Sequence, residues 1–440
     1  MSRISTVLTT VVATTACVCA TAPAAAASDP VVSRGVTIPA FYTPPAGLPS
    51  GNGVLVRHEP LPLGLSLPGL DGRPLPGTAT RLMYTSTAST GERVAVTGAY
   101  IEPTARWKGG GPRPLVVVGS GTMGQGDQCA PSLALQHPLT LNGQTVSVAY
   151  ENLAIYRILA TGAAVVVTDY VGLGATDRVH TYVNRVDQGR AMLDAARAAR
   201  SVPGASVTAA SRVGLYGYSQ GGGASASAAE LHRTYAPEIE LAGTYSGAPP
   251  ADLTEVMKGI DGSALAAALG WSINGFVQAY PDMREVAERH VNATGRAALK
   301  DIATTCVGDA VFGYGFTKST KWTTSGKSVA EVIAGEPRAQ AVLDEQRLGT
   351  LRPTGPVRLV TGVQDDIVPH AQARRLAVDW CKRGADVTYK AVRLPNLGDK
   401  ILTNHLAPLL TDQGDAISWL TARLRGEPAT SNCRTMPYQP

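Results

Sequence analysis

Residues 217–221 read Gly-Tyr-Ser-Gln-Gly, a pattern whose serine can act as a nucleophile. The pattern lies between an apolar, β-branched run at residues 213–216 and a helical segment that begins near Gly222. In a tight turn from strand to helix the serine hydroxyl projects above the sheet, and the flanking residues must be small because a Cβ would clash. The helix also offers unpaired N–H groups and the positive end of its dipole. We therefore predict that Ser219 is a catalytic nucleophile; the alternative is a glycine-rich turn with an inert serine.

A serine nucleophile needs a base, and the base needs a carboxylate that orients it. Where this turn occurs in hydrolases, the order along the chain is serine, acid, histidine. Of the seven histidines, only His370 and His405 follow the acid candidates. His370 is too close to those acids along the chain to reach back to Ser219. His405, expected on a polar loop after the last strand, is therefore the predicted base.

Two neighbouring aspartates, Asp365 and Asp366, follow the predicted strand at residues 357–361. The spacing G-x-x-D-x-x-V-P over residues 362–369 is typical of hydrolases with this triad, and it favours Asp365 as the acid. The alternative role is to cap the helix that begins near Pro369, which suits Asp366 better.

A tetrahedral oxyanion needs two hydrogen-bond donors. The N–H of Gln220, directly after the nucleophile, is one expected donor. The second is expected in the glycine-rich loop at residues 121–127, with Thr122 as the first choice. Glycines there allow the backbone to approach a substrate closely. A phosphate site is not indicated, because no G-K-[ST] sequence follows these glycines.

The elements that must position these residues follow from an alternation of short apolar runs and helical segments. The predicted strands are residues 94–101, 115–118, 163–168, 213–216, 241–245, 357–361 and 387–392. The predicted helices are residues 152–159, 187–201, 224–235, 371–383 and 415–424. Strands that alternate with helices require crossover connections. We therefore predict an α/β fold with a mostly parallel central sheet and helices on both faces.

The alternation stops between residues 249 and 348, where helical segments predominate. We expect a mainly helical cap over the carboxyl edge of the sheet, where active sites of open α/β sheets lie. Its apolar segment at residues 264–277 either forms an acyl-binding site or only packs the cap onto the body. The predicted organisation is a signal peptide (1–27), a first core part (28–248), the cap (249–348) and a second core part (349–440). Within the first core part, we expect residues 28–80 to form an irregular N-terminal arm.

The first 27 residues have the pattern of an export signal. Arg3 precedes an apolar stretch at residues 7–20, and three alanines at 25–27 form a small-residue cleavage site. The apolar stretch is shorter than the roughly 20 residues that span a bilayer. We therefore expect a secreted, extracellular protein without a transmembrane segment.

Composition narrows the classes of function. Charged residues make up 17% of the chain and apolar residues 44%, which excludes a disordered protein. The net charge of +5 includes no run of five Lys or Arg residues, so a nucleic-acid interface is not supported. A mildly basic surface would slightly favour an anionic lipid interface, although basic residues also serve solubility alone.

Four of the six cysteines lie outside the leader, at positions 129, 306, 381 and 433. An even number in an exported chain predicts two disulfides, and three pairings are open from the sequence. The absence of a C-x-x-C spacing among them argues against a zinc or redox site. We expect no metal and no organic cofactor.

Several motifs in one order resemble the secretory lipase family typified by yeast lipase A, within the α/β-hydrolase superfamily. They are D-Q-C-A-P-S at 127–132, the region 213–239 with its G-Y-S-Q-G, Y-P-D-M-R-E within 280–301, residues 365–369 and the segment around His405. The resemblance implies an α/β-hydrolase fold, hydrolysis of acylglycerol esters and a helical lid. It also implies disulfides Cys129–Cys306 and Cys381–Cys433, and an acidic donor in the oxyanion loop, a part that Asp127 could play.

Two positions depart from the family pattern. Gln220 stands where yeast members have glycine, and Asn404 precedes the histidine where an acid can stand. Both departures leave the triad intact and bear on chain-length preference. The sequence thus predicts a monomeric, secreted serine ester hydrolase, foremost a triacylglycerol lipase acting at a lipid–water interface. A carboxylesterase, an acyltransferase or peptidase of the same fold, and a non-enzymatic wall-binding protein are the alternatives.

Overall fold

The computed structural model describes residues 30–69 and 72–436. The predicted signal peptide, residues 1–27, lies outside the described residues. Fifteen strands are described: β1 Val31–Ser33, β2 Val36–Ile38, β3 Leu55–Leu61, β4 Leu67–Pro68, β5 Pro74–Leu75, β6 Gly77–Thr87, β7 Arg93–Pro103, β8 Leu115–Gly119, β9 Leu139–Leu141, β10 Val146–Val148, β11 Ala164–Val171, β12 Val213–Tyr218, β13 Leu241–Gly247, β14 Val357–Gly362 and β15 Val387–Val392.

Thirteen α-helices occur in the same part of the chain. They are α1 Pro131–Gln136, α2 Asn152–Ala160, α3 Arg185–Ala199, α4 Gln220–Tyr235, α5 Leu253–Ile260, α6 Ala267–Ala279, α7 Met283–His290, α8 Ala293–Ile302, α9 Val307–Tyr314, α10 Val329–Ala334, α11 Pro337–Glu345, α12 His370–Lys382 and α13 Thr403–Leu424. Short 3₁₀ helices lie at Ala40–Tyr42, Asp127–Cys129 and Ser319–Lys321.

A nine-stranded mixed sheet forms the centre of the molecule, in the order β15-β14-β13-β12-β8-β11-β7-β6-β3. The five neighbouring pairs from β15 to β11 are parallel, and the three pairs from β11 to β3 are antiparallel. The predicted mostly parallel α/β sheet is therefore confirmed. The register places Gly217 of β12 beside Gly119 of β8, so the serine turn and the oxyanion loop leave the sheet side by side.

Helices cover both faces of this sheet because its central strands are apolar on both sides. All five residues of β8 and all eight of β11 are buried. Apolar side chains of α3 and α4 form one core with one face of the sheet, and those of α2 and α13 form a second core with the other face. The sheet is thus a rigid platform whose carboxyl edge carries the candidate site.

The prediction of an irregular N-terminal arm over residues 28–80 was wrong in part. This region contributes edge strand β3 and the start of β6 to the central sheet. The sequence of β6 is rich in threonine and has no strict alternation of apolar and polar residues, so it carries no clear strand signal. Most of its residues are nevertheless buried in the folded protein. Pairing along the full length of β7 decides its conformation.

The last helix begins twelve residues before its predicted start, at Thr403 instead of 415. His405 therefore lies in the first turn of α13 and not on a loop. Pro408 inside this helix and the polar residues before it favour a loop reading. Pro408 lies in the second turn of α13, where proline removes one intrahelical hydrogen bond. The buried side of the helix, which includes Leu409 and Leu420, overrides this local preference.

Between β13 and β14 the chain forms helices α5 to α11, as predicted for a helical cap. Within the cap, residues 317–327 contain the 3₁₀ turn Ser319–Lys321 and a single bridge from Thr323 to Val291. The cap has its own apolar core, in which Trp271 and Ile302 are fully buried, and Tyr182 and Ile367 of the body pack into the same cluster. The exact division into core and cap stays a prediction.

Both disulfides implied by the family resemblance are present. Cys129–Cys306 joins the segment before α1 to the start of α9 in the cap. Cys381–Cys433 ties the C-terminal segment to α12. The first of these bonds fixes the cap to the loop that runs past the candidate site.

Candidate active site

Ser219 occupies a strained turn between β12 and α4, with φ 57° and ψ −123°. The two glycines of the motif are required by sterics: a Cβ on Gly217 would lie 2.0 Å from the carbonyl oxygen of Gly221. A Cβ on Gly221 would lie 1.9 Å from that of Gly119. This is the geometry expected of a nucleophile elbow, in which the serine side chain projects from the edge of the sheet.

A chain of two hydrogen bonds connects Ser219, His405 and Asp365. His405 Nε2 lies 2.9 Å from Ser219 Oγ, and His405 Nδ1 lies 2.8 Å from Asp365 Oδ2. An ionised carboxylate only accepts hydrogen bonds, so Nδ1 carries the proton and Nε2 is free to accept from the serine hydroxyl. Ser219 and His405 lie 186 positions apart in the sequence. The two hydrogen bonds bring them together with Asp365 in the predicted order serine, histidine, acid.

The carboxylate of Asp365 is held in place on its other side. Its Oδ1 accepts hydrogen bonds from the N–H groups of Ile367 and Val368, at 3.1 and 2.8 Å. Burial by itself would lower the pKa of His405, but the charge of Asp365 and its hydrogen bond outweigh burial and raise that pKa above its ordinary value. The pair therefore favours the protonated imidazole that proton transfer from serine would create.

The rival residues lie in other roles. Asp366 accepts a hydrogen bond from the N–H of Ile401 at 3.1 Å and so holds the loop before α13. It does not cap α12, whose N-cap residue, Pro369, makes no side-chain cap. His370 starts α12, with Nε2 3.4 Å from Tyr389 Oη on β15, away from the described walls around Ser219.

Two backbone N–H groups are available for an oxyanion. Gln220 is the first residue of α4, and N–H groups of a first helical turn have no intrahelical partner. Thr122 lines the same groove as Ser219 and His405, and within residues 30–69 and 72–436 its N–H has no hydrogen-bond acceptor. Thr122 Oγ1 lies 2.7 Å from Tyr182 Oη.

Asp127 lies in the 3₁₀ turn before α1, outside both groups of described residues that line cavities at Ser219. Burial raises the pKa of its carboxyl to about 7. The described contacts therefore support Thr122 as the second donor, while the part of Asp127 stays a prediction without a contact to Ser219.

An apolar cavity extends from Ser219 beneath the cap. Because it is less open to solvent than the groove described next, we call it the closed cavity. Four large apolar side chains of the segment at residues 264–277 line it, namely Leu265, Leu269, Ile273 and Phe276. Two other large apolar side chains of this segment do not, because Trp271 is fully buried in the cap core and Val277 faces a different cavity. The segment at residues 264–277 therefore contributes both to the wall of this cavity and to the core of the cap.

A second apolar groove, which is more open to solvent, also reaches Ser219 and is lined by His405; we call it the wide groove. Among the described residues, Ser219 and Leu265 alone line both cavities. The rim of this groove carries exposed apolar side chains: Phe312 is 82% exposed and Leu410 60%. Val148 of β10 and Leu406 of α13 are also exposed on this rim.

Comparison with known proteins supports the family suggested by the motifs. The family model for secretory lipase matches residues 135–432, which is more than half of the chain. The chain belongs to the secretory lipase family.

Curated relatives of this chain include a secreted triacylglycerol lipase of Malassezia globosa, 28% identical over 73% of this chain and 68% of the relative. Lipase 10 of Candida albicans is 27% identical over 91% of this chain and 84% of the relative. A Mycobacterium tuberculosis protein named a "probable inactive lipase" is 29% identical over 89% of this chain and 83% of the relative.

Solved structures confirm the α/β-hydrolase fold of this chain. Candida antarctica lipase A in its closed state superposes with a TM-score of 0.74 and 22% identity, covering 89% of this chain and 87% of that one. A rice cell wall degrading esterase of Xanthomonas oryzae superposes with a TM-score of 0.67 and 18% identity, covering 84% and 97%. At these identities the likeness concerns the fold.

One residue that departs from the family pattern has a structural partner that sequence reasoning missed. The side chain of Gln220 is buried, and its Nε2 lies 3.0 Å from His180 Nε2. His180 Nδ1 lies 2.8 Å from the carbonyl oxygen of Val171, so Nδ1 carries the proton and Nε2 accepts from Gln220. Burial lowers the pKa of His180 to about 4, which keeps the ring neutral. His180 therefore holds Gln220 beside the nucleophile.

Other site residues also lacked a sequence signal. Tyr218 Oη donates to the carbonyl oxygen of His405 at 2.8 Å, which ties the elbow to the start of α13. Asn404 accepts a hydrogen bond from the N–H of Leu397 at 2.8 Å and so orders the loop before His405. The sequence shows that a tyrosine, Tyr218, directly precedes the nucleophile in the elbow motif. Nothing in the sequence pairs it with residue 405.

Two further findings concern the described part of the chain. No cluster of three or more His, Cys, Asp or Glu residues suited to a metal ion occurs there. Among the described helices, none is both long and apolar enough to cross a membrane.

Proposed function

We propose that this protein is a secreted triacylglycerol lipase that works through a serine acyl-enzyme. The observation that carries the proposal is the hydrogen-bonded chain Ser219–His405–Asp365 at 2.9 and 2.8 Å. Family membership alone is not sufficient, since one relative is named a "probable inactive lipase". In this chain all three groups are present and in contact.

In the proposed reaction Ser219 Oγ attacks the acyl carbonyl while His405 Nε2 takes its proton. Asp365 keeps the proton on Nδ1 and stabilises the imidazolium. The proton then passes to the leaving alcohol, and the acyl group stays on serine. A water molecule, deprotonated by the same histidine, attacks the acyl-enzyme and releases the fatty acid.

The N–H groups of Gln220 and Thr122 bind the oxyanion that forms in both steps. Such donors act most strongly when they are fixed before the reaction and shielded from water. Thr122 is 5% exposed and Gln220 2%. Thr122 directly follows Gly121, which lets the backbone there come close to the substrate.

Two apolar cavities that meet at one serine favour a large, water-insoluble ester over a small soluble one. The closed cavity suits an acyl chain, which the apolar walls of α5 and α6 would surround. The wide groove suits the rest of the glyceride, and its exposed apolar rim suits a lipid surface. These features also favour lipase over the carboxylesterase alternative.

The experiment that tests the proposal uses the secreted protein and the Ser219→Ala variant. p-Nitrophenyl esters from short to long acyl chains are compared with an emulsified triglyceride. We expect fatty acid release from the emulsion at a rate above that from the soluble short ester, and no release by the variant. Transfer of the acyl group to added glycerol in place of water would instead identify an acyltransferase.

A further inference from the structure

Two consecutive residues before α2, Tyr150 and Glu151, contact the oxyanion loop at two consecutive positions. Glu151 Oε1 accepts a hydrogen bond from the N–H of Gly121 at 2.8 Å. Tyr150 Oη donates to the carbonyl oxygen of Thr122 at 2.9 Å. The two bonds hold the peptides on either side of the Thr122 N–H, the group that remains without an acceptor in the described chain.

The same loop is packed against the nucleophile elbow on its other side. A Cβ on Gly121 would lie 2.6 Å from Tyr150 Oη, and 3.3 Å from both Glu151 Oε1 and the carbonyl oxygen of Tyr218. The backbone at Gly121 is therefore enclosed between the Tyr150–Glu151 pair and the residue before Ser219. A small shift of the pair would move the loop relative to the nucleophile.

Burial of the Glu151 carboxyl group costs free energy of folding, so stability alone does not explain a glutamate at this position. It is 5% exposed, its described hydrogen-bond partner is the N–H of Gly121, and burial raises its pKa to about 7. A buried carboxyl group with a single neutral partner contributes little to folding. Its aim at the loop, inside the groove that contains Ser219 and His405, points to a role in the site.

We propose that Tyr150 and Glu151 are positioning residues that fix the Gly121–Thr122 peptides so that the Thr122 N–H points at the developing oxyanion. The proposal rests on the proposed function of Ser219. It assigns to the pair an effect on the transition state and not on the bound substrate, because the oxyanion exists only after attack on the carbonyl.

Three variants and one matched control test it with a soluble p-nitrophenyl ester. Tyr150→Phe and Glu151→Leu remove the two bonds, while Glu151→Gln keeps an oxygen that accepts from Gly121. Tyr156→Phe is the control, because Tyr156 lies on α2, directly after the pair, but its hydroxyl donates to the carbonyl oxygen of Leu65, at 2.9 Å. Misplacement near 1 Å costs on the order of a hundredfold, so we expect kcat to fall about tenfold to a hundredfold in the first two variants.

KM should change far less, and Glu151→Gln and Tyr156→Phe should stay within about threefold of the unaltered protein. The second readout is inhibition by an alkyl trifluoromethyl ketone, whose adduct with serine carries an oxyanion. We expect its inhibition constant to rise in proportion to the loss of kcat/KM across the variants. Tyr150→Phe removes only one oxygen atom, which keeps the test valid if Glu151→Leu fails to fold.

An unchanged inhibition constant in variants with reduced activity would overturn the positioning role, because a merely structural defect lowers the amount of active protein and not the affinity. Unchanged kcat in both Tyr150→Phe and Glu151→Leu would overturn it as well. Ester hydrolysis that persists in Ser219→Ala contradicts the proposed function itself, so the two failures are distinguishable.

Discussion

The two cavities that meet at Ser219 differ in how their walls are held. The closed cavity is built from the core of the cap, where Leu269 and Phe276 are 3% and 6% exposed. The wide groove is bordered by side chains that water reaches, such as Phe312 at 82% and Leu410 at 60% exposure. One wall is part of the folded core and the other is a surface.

This difference separates two kinds of specificity. A wall that belongs to a close-packed core cannot easily adapt to a longer or shorter ligand. It can therefore discriminate between acyl chains that differ in length by a methylene group. An exposed apolar rim gives little selection by shape, but it loses contact with water when it meets a lipid surface. The closed cavity should set which chain is cleaved, and the groove should set where the enzyme works.

The largest expected effect tests whether both cavities serve one serine. Ser219→Ala and His405→Ala should each lower the hydrolysis of soluble and emulsified esters by about 10⁴-fold or more, because triad members act as a unit. Thermal unfolding of the purified variants checks that the fold is intact. His370→Ala is the control, and a loss as large as that of His405→Ala would contradict the assigned base.

The next effect concerns the closed cavity alone. Leu269→Trp or Phe276→Trp should shorten the preferred acyl chain, because one methylene in an apolar pocket is worth about tenfold or more in kcat/KM. The ratio of kcat/KM for long and short p-nitrophenyl esters measures the shift. Val277→Trp is the matched control, since it lies on α6 but faces a different cavity.

A fall in melting temperature with an unchanged chain-length profile at both positions would mean that the segment only packs the cap. Overpacking of a core costs about 1–3 kcal/mol, so that outcome is measurable. The closed cavity would then need another occupant.

A smaller effect is expected at the rim of the groove. Phe312→Ser and Leu410→Ser should reduce hydrolysis of an emulsified triglyceride by several-fold, since less apolar surface leaves water on adsorption. Hydrolysis of a soluble short ester should be unchanged. Leu351→Ser, at a residue 42% exposed outside the described groove lining, is the control. Equal losses on both substrates would contradict a surface-docking role for the rim.

The smallest effect is a shift in pH dependence that both substrates share. The imidazole of His405 must be neutral to accept the serine proton, so kcat/KM falls as pH drops through its pKa. That pKa is raised above its ordinary value of 6.5, and the acid limb should therefore lie above pH 6.5. Asp365→Asn removes the charge that raises it and should move the limb to lower pH. Different limbs for the two substrates would imply different bases.

Much of the fold was open to prediction because the relevant signals are local. Seven buried strands were predicted from apolar runs bounded by turn residues, and β15 was predicted at its full length. Edge strand β3 and the whole of β6 were missed, since half-exposed or threonine-rich strands owe their conformation to pairing. The start of α13 was missed because Pro408 is a helix breaker by sequence, whereas tertiary packing of the helix overrides that preference.

The candidate site divides in the same way. Ser219, Asp365 and His405 could be chosen from the sequence, because a strained turn demands glycines and the order of the triad follows the order of the strands. The choice between Thr122 and Asp127 could not be made, since it depends on which peptide faces the elbow. His180, Tyr150 and Glu151 carry no motif, and their contacts with the site join residues 28 to 40 positions apart.

By itself the sequence determined the chemistry: a serine held in a turn that only glycines allow, and the acid and base that a parallel sheet presents at one edge. Tertiary structure alone decided what surrounds that chemistry. A hydrogen bond such as that of Glu151 with Gly121 depends on how α2 packs against β8 and β11. The two cavities depend on where the cap rests. Local steric constraints depend on neighbouring residues in the sequence, whereas burial and cavity shape arise only when distant segments pack together.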